Sequence, residues 1–166
     1  MTPRIIVLEL AQLEAAHLTD LVVQFVDLLD GTAVHEEPAD PALARLVPDA
    51  YADDDDAAAD FRELTQGDLL ARRRADAASV LATLQFDGRP LSVSELGETA
   101  ATTAMTVHLD PDQIAAWLRT LTALRLVLAS RLGVQHEADH DPEDPRFGVY
   151  NWLGFRLEGL LHALES

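Results

Sequence analysis

Two stretches decide how this chain folds: Val7–Leu29, VLELAQLEAAHLTDLVVQFVDLL, and Met105–Leu132, MTVHLDPDQIAAWLRTLTALRLVLASRL. Each begins with a short run suited to a strand and continues into a long amphipathic helix. In the first, Leu13, His17, Leu18, Leu21, Val22, Phe25, Val26 and Leu29 recur at helical spacing, and Asp30-Gly31 closes the pattern. In the second, Asp110-Pro111 is a helix start, with aspartate as cap and proline at the first helical position. Ile114, Trp117, Leu118, Leu121, Leu124, Leu128 and Leu132 follow, and Gly133 ends the helix.

The two stretches align with each other across a one-residue gap near Pro111. Ala15-Ala16-His17-Leu18 then lies over Ala115-Ala116-Trp117-Leu118, Leu21 over Leu121, Phe25 over Arg125 and Leu28 over Leu128. Either these are two strand–helix units whose strands pair, in parallel or antiparallel fashion, or two amphipathic helices agree by chance. Two copies are too few for a solenoid.

Between them, Pro41 opens a short helix carrying Leu43, Leu46 and Val47, stopped by Pro48. The run Asp53–Asp56 precedes an alanine-rich segment with Phe61 and Leu64, and its carboxylates suit a helix N-terminus. A calcium loop does not fit. Counting from Asp53 or Asp54, the position that needs glycine holds Ala58 or Ala59. A further helix is expected after Gln66-Gly67, running to about Phe86 with Leu69, Leu70, Ala77, Val80, Leu81 and Leu84 inward. Asp87-Gly88-Arg89-Pro90 is a turn, and a last helix is expected over about Phe147–Leu164. The fold expected is mainly α: a single-domain helical bundle of about five to six helices with two short β-strands, spanning 1–166, with acidic loops at 31–41 and 134–146.

Composition removes several chemistries. There is no cysteine among the 166 residues, which excludes thiol nucleophiles, disulfides, iron–sulfur clusters and thiolate zinc sites. All 12 cations are arginine, so Schiff-base chemistry and a P-loop lysine are excluded too. A net charge of −17 repels phosphate backbones and anionic lipid. The expectation is a cytoplasmic protein that binds neither nucleic acid nor membrane and carries no cofactor.

One motif points to catalysis. His136-Glu137-Ala138-Asp139-His140 is an H-E-x-x-H, which on a helix binds zinc through both histidines with the glutamate as general base. Here Gly133 has just ended a helix and Asp141-Pro142 follows at once, disfavouring helical geometry. The segment reads better as a solvated acidic connector. A metal-dependent hydrolase using His136, Glu137 and His140 stays as the alternative, and no other catalytic residue stands out.

The remaining candidates are ion pairs and interface residues. Arg72-Arg73-Arg74 is the one basic cluster, with Asp68 and Asp76 four residues either side of Arg72 and ready to pair with it. A salt-bridged helix face is favoured over an anion site. Arg125 lies on a helix seam between Leu121 and Leu128, where it needs a carboxylate partner or a route to the surface. Tyr150 and Trp152 are spaced as core anchors and suit an interface.

Asp60-Phe61-Arg62, Leu64-Thr65, Leu124-Arg125-Leu126, Arg131-Leu132-Gly133-Val134 and Tyr150 with Trp152-Leu153-Gly154 carry a resemblance to the actinobacterial family DUF2017. It covers nearly the whole chain in order. Where the family tends to read Leu-Asn-Asp-Leu-Arg, this chain has Leu121-Thr122-Ala123-Leu124-Arg125. The family carries no established activity. Its genes often stand beside that of the ClpS adaptor, so the resemblance implies a regulatory or protein-interaction module with the Clp/ClpS system as a partner. Some members are labelled transcriptional regulators, a further alternative that the charge opposes. Arg62, Arg72, Arg125, Tyr150 and Trp152 are the candidate interaction or ion-pair residues. A homodimer through a helix face is compatible with the pattern.

Overall fold

The computed structural model describes residues 4–31, 41–46, 55–133 and 143–165. In chain order these form β1 (Ile6–Ala11), α1 (Gln12–Asp30), α2 (Pro41–Leu46), α3 (Asp55–Thr83), β2 (Ala104–Leu109), α4 (Pro111–Leu132) and α5 (Gly148–Glu165). Single 3-10 turns at Val93–Glu95, Glu98–Ala101 and Pro145–Phe147 fill the connections. The architecture is mainly α, as the hydrophobic periodicity requires.

The two strands pair with each other, and they do so antiparallel. Ile6 faces Leu109, Leu8 faces Val107 and Leu10 faces Met105. These six side chains point into the core, whereas Val7, Glu9, Thr106 and His108 face outward. The register is itself twofold: exchanging Ile6 for Met105 and Leu109 for Leu10 converts one end pair into the other. The chain therefore contains two strand–helix units, β1–α1 and β2–α4, joined through their strands. Sequence alone left the sense of pairing open.

The α4 helix is the central element and touches α1, α2, α3 and α5. Its start is secured by a full capping box. The Gln113 N–H donates to Asp110 Oδ1 (2.8 Å) and the Asp110 N–H donates to Gln113 Oε1 (2.9 Å). Its end is closed by Gly133 at φ +77°, a left-handed position that a side chain resists. Trp117 lies fully buried on this helix, and its indole N–H donates to the Thr83 hydroxyl on α3 (2.8 Å). That hydroxyl donates in turn to the Val80 carbonyl (2.6 Å), so both its roles are used.

Two expectations need correction. The segment from Asp55 to Thr83 is one helix and not two, because Gly67 lies inside it. An interior glycine costs only about 1 kcal/mol relative to alanine, too little to break a helix rich in alanine, leucine and arginine. The helix also stops at Thr83 rather than near Phe86. Phe86 and Arg89 instead exchange backbone hydrogen bonds across Asp87-Gly88, both at positive φ.

Candidate functional site

Arg125 projects from α4 onto α5. Its guanidinium lies 4.1 Å from the centre of the Tyr150 ring, and its Nε donates to the Tyr150 carbonyl (3.3 Å). Gly154, one turn further along α5, makes the room. A Cβ there would stand 3.0 Å from the Arg125 guanidinium carbon. Arg125 is thus seated between an aromatic face and bare helix backbone, and no carboxylate meets it among the described residues. The sequence placed Arg125 on the seam; its partner is a π face and a carbonyl, which hold a cation without a counter-charge.

Glu14 fixes the opposite edge of α5. Its Oε2 accepts from the Trp152 indole N–H (2.8 Å) and from both Nε and Nη2 of Arg156 (3.2 and 2.5 Å). Its Oε1 accepts from the Ala11 N–H at the start of α1 (3.4 Å). Burial alone would raise the Glu14 pKa, but the hydrogen bonds from Arg156 and Trp152 and the Arg156 charge outweigh it and hold the carboxyl below its ordinary value. Arg4, just before β1, donates to the carbonyls of Leu164 and Ala163 (2.8 and 2.7 Å) and caps the C-terminus of α5.

Beside the Glu14 knot, α1 and the first turn of α5 leave a cleft of about 460 Å³, lined by Glu14, His17, Asp20, Leu21, Val149 and Trp152 among others. Leu21 and Gln24 also border a second hollow of about 250 Å³, over Phe25, Leu124 and Leu128. The two hollows share Leu21 and Gln24 on α1; the first carries the carboxylates of Glu14 and Asp20, and the second the cation of Arg131.

A different cavity, of about 560 Å³, is lined by Leu69, Arg72, Arg73, Ala75 and Asp76 of α3 and Arg119 of α4. The expected pairing of Asp76 with Arg72 is not what the structure holds. Arg119 takes Asp76 bidentately, through Nε (2.8 Å) and Nη2 (2.9 Å), across the helix–helix boundary. Arg74 points the other way and meets Asp30 of α1 (2.5 Å).

Of the other sequence candidates, Arg62 lies on α3. Its side chain lies outside the described set, as do His136, Glu137 and His140. Among the described residues no group of three or more acidic or histidine side chains could hold a metal ion, and no helix is long and apolar enough to cross a membrane. Sequence reasoning named neither Glu14 nor Arg156, and Gly154 only among the residues that carry the family resemblance; their roles exist only once α5 is docked.

Comparison with known proteins shows the family. The model of a domain of unknown function, DUF2017, matches residues 1–164, so the chain belongs to that family. A putative oxidative stress regulator AosR of Mycobacterium leprae is 31% identical over 79% of this chain, and the match spans 61% of that protein. The oxidative stress regulator AosR of Mycobacterium tuberculosis is 28% identical over 93% of this chain and 80% of its own length, and that of Mycobacterium bovis is equally similar. No solved structure matches.

Proposed function

Taking membership of the DUF2017 family as the premise, we propose that the chain is a non-catalytic, cytoplasmic regulatory module that works by binding another protein. The names of its mycobacterial relatives support a regulatory role. The observation that carries the binding mode is the hollow beside α1. Leu21, Val149 and Trp152 line it with apolar surface, and Asp20 and Glu14 line it with carboxylates, in a chain of net charge −17. Such a hollow suits a partner segment with an apolar anchor next to a basic residue. Val149 is 45% exposed, so it is open to a partner and can be changed without emptying the core.

The absence of cysteine constrains the mechanism. A regulator with no thiol cannot read an oxidant through disulfide or sulfenic acid chemistry. Any thiol-based sensing of oxidants therefore lies with a partner.

The test is genetic and biochemical together. Deleting the gene in its host should alter the transcript response to hydrogen peroxide, and the wild-type gene should restore it. Val149→Asp and Asp20→Arg should restore it poorly while melting like the wild type. Full complementation by both variants would remove the hollow from the account. Titrating purified ClpS into the protein tests the Clp link separately.

A further inference from the structure

We propose that the cavity between α3 and α4 is a binding site for a small oxyanion, a phosphate or carboxylate group carried by a metabolite. Three arginines, Arg72, Arg73 and Arg119, line one hollow of about 560 Å³, against a single lining carboxylate, Asp76. That concentration runs against the chain's composition, in which 29 acids face 12 arginines. Asp76 is taken by Arg119 and Asp30 by Arg74. Arg72 and Arg73 meet no carboxylate among the described residues.

The second observation is local. The Nε of Arg73 is buried and makes no hydrogen bond. A buried guanidinium N–H without an acceptor is costly, because it has lost water and gained nothing. That Nε is closed to solvent, so an oxyanion in the hollow would reach it only with a turn of the Arg73 side chain, and would first meet the outer edges of the guanidinium groups, whose planar fork matches phosphate or carboxylate oxygens two at a time. Leu69 and Ala75 add apolar wall for the body of such a ligand. The hollow has the size of a metabolite site rather than of a bare ion site. The Arg119–Asp76 pair serves as a wall that keeps Asp76 from quenching the other two cations. The Arg119 pKa is raised, chiefly by its bond to Asp76.

The experiment is calorimetric titration of the full chain with inorganic phosphate, adenosine 5′-monophosphate and malonate, in matched sodium chloride. Saturable binding of one ligand per chain by at least one of the three is expected, and their order separates a phosphate site from a carboxylate site. Arg72→Gln with Arg73→Gln should weaken binding about tenfold or more, whereas Arg74→Gln, outside the cavity, should leave it unchanged. If the double variant does not fold, Asp76→Asn decides: removing the carboxylate that holds Arg119 frees a third guanidinium for the ligand and should tighten binding. No saturable binding of any of the three, binding indifferent to Arg72 and Arg73, or binding unchanged or weakened in Asp76→Asn would each overturn the site.

Discussion

Glu14 and Gln113 hold the same place in their two helices, the third residue, and have come to do different work. Gln113 completes a capping box with Asp110. Glu14 has only Ala11 to serve as its cap, and spends its second oxygen on Trp152 and Arg156 of α5. The second strand–helix unit thus caps itself, while the first uses its equivalent residue to dock the last helix.

Replacing Glu14 by Gln should therefore destabilise the protein at neutral pH by about 1–2 kcal/mol, the scale of charge-assisted hydrogen bonds in a half-exposed setting. The Glu14 pKa is lowered in the folded state, so its contribution is present above the ordinary glutamate pKa of about 4.3 and is lost as pH falls through the lowered value. Urea melts of wild type and Glu14→Gln should differ at neutral pH and converge near the acid end. A constant difference across pH would show that the charge is irrelevant.

Gly154→Ala offers a sharper test, because two effects oppose each other. Alanine favours the helix by about 1 kcal/mol, but its Cβ would meet the Arg125 guanidinium at 3.0 Å. The exchange should be neutral or destabilising in the wild type and stabilising in an Arg125→Ala background. Equal effects in both backgrounds would mean that the two residues do not touch.

Thr83→Val leaves the buried Trp117 indole N–H without its acceptor and should cost about 1–2 kcal/mol. Thr83→Ser keeps the hydroxyl and should cost less. Thermal melts followed by circular dichroism would rank the three proteins.

The helices and strands were legible because their signals are local. The Asp110-Pro111 start, the Gly133 stop and the alternation of Met105, Val107 and Leu109 each lie within a few residues. Gly67 misled because glycine is a weak break when its neighbours form helix well. The cavity arginines misled for a different reason. Within one helix Asp76 is the natural partner of Arg72, but Arg119, 43 residues away, reaches it with two parallel bonds. No spacing rule records that competition, and it is what leaves Arg72 and Arg73 facing an open hollow.

Hydrogen peroxide supplies a further check. The chain has no cysteine, and Met105, the one methionine beyond Met1, is 6% exposed. Brief peroxide treatment should leave the melting temperature and oligomeric state of the purified protein unchanged. A reversible shift restored by a thiol reductant would contradict the chemistry available to it.

The regulatory reading rests on the relatives and its binding mode on the hollow beside α1, and one measurement addresses both: the peroxide-response transcripts of a deletion strain carrying either the wild-type gene or Val149→Asp. The wild type should restore the response, and Val149→Asp, folded and expressed to the same level, should not. An unaltered response in the deletion strain, or full restoration by Val149→Asp, would contradict the account.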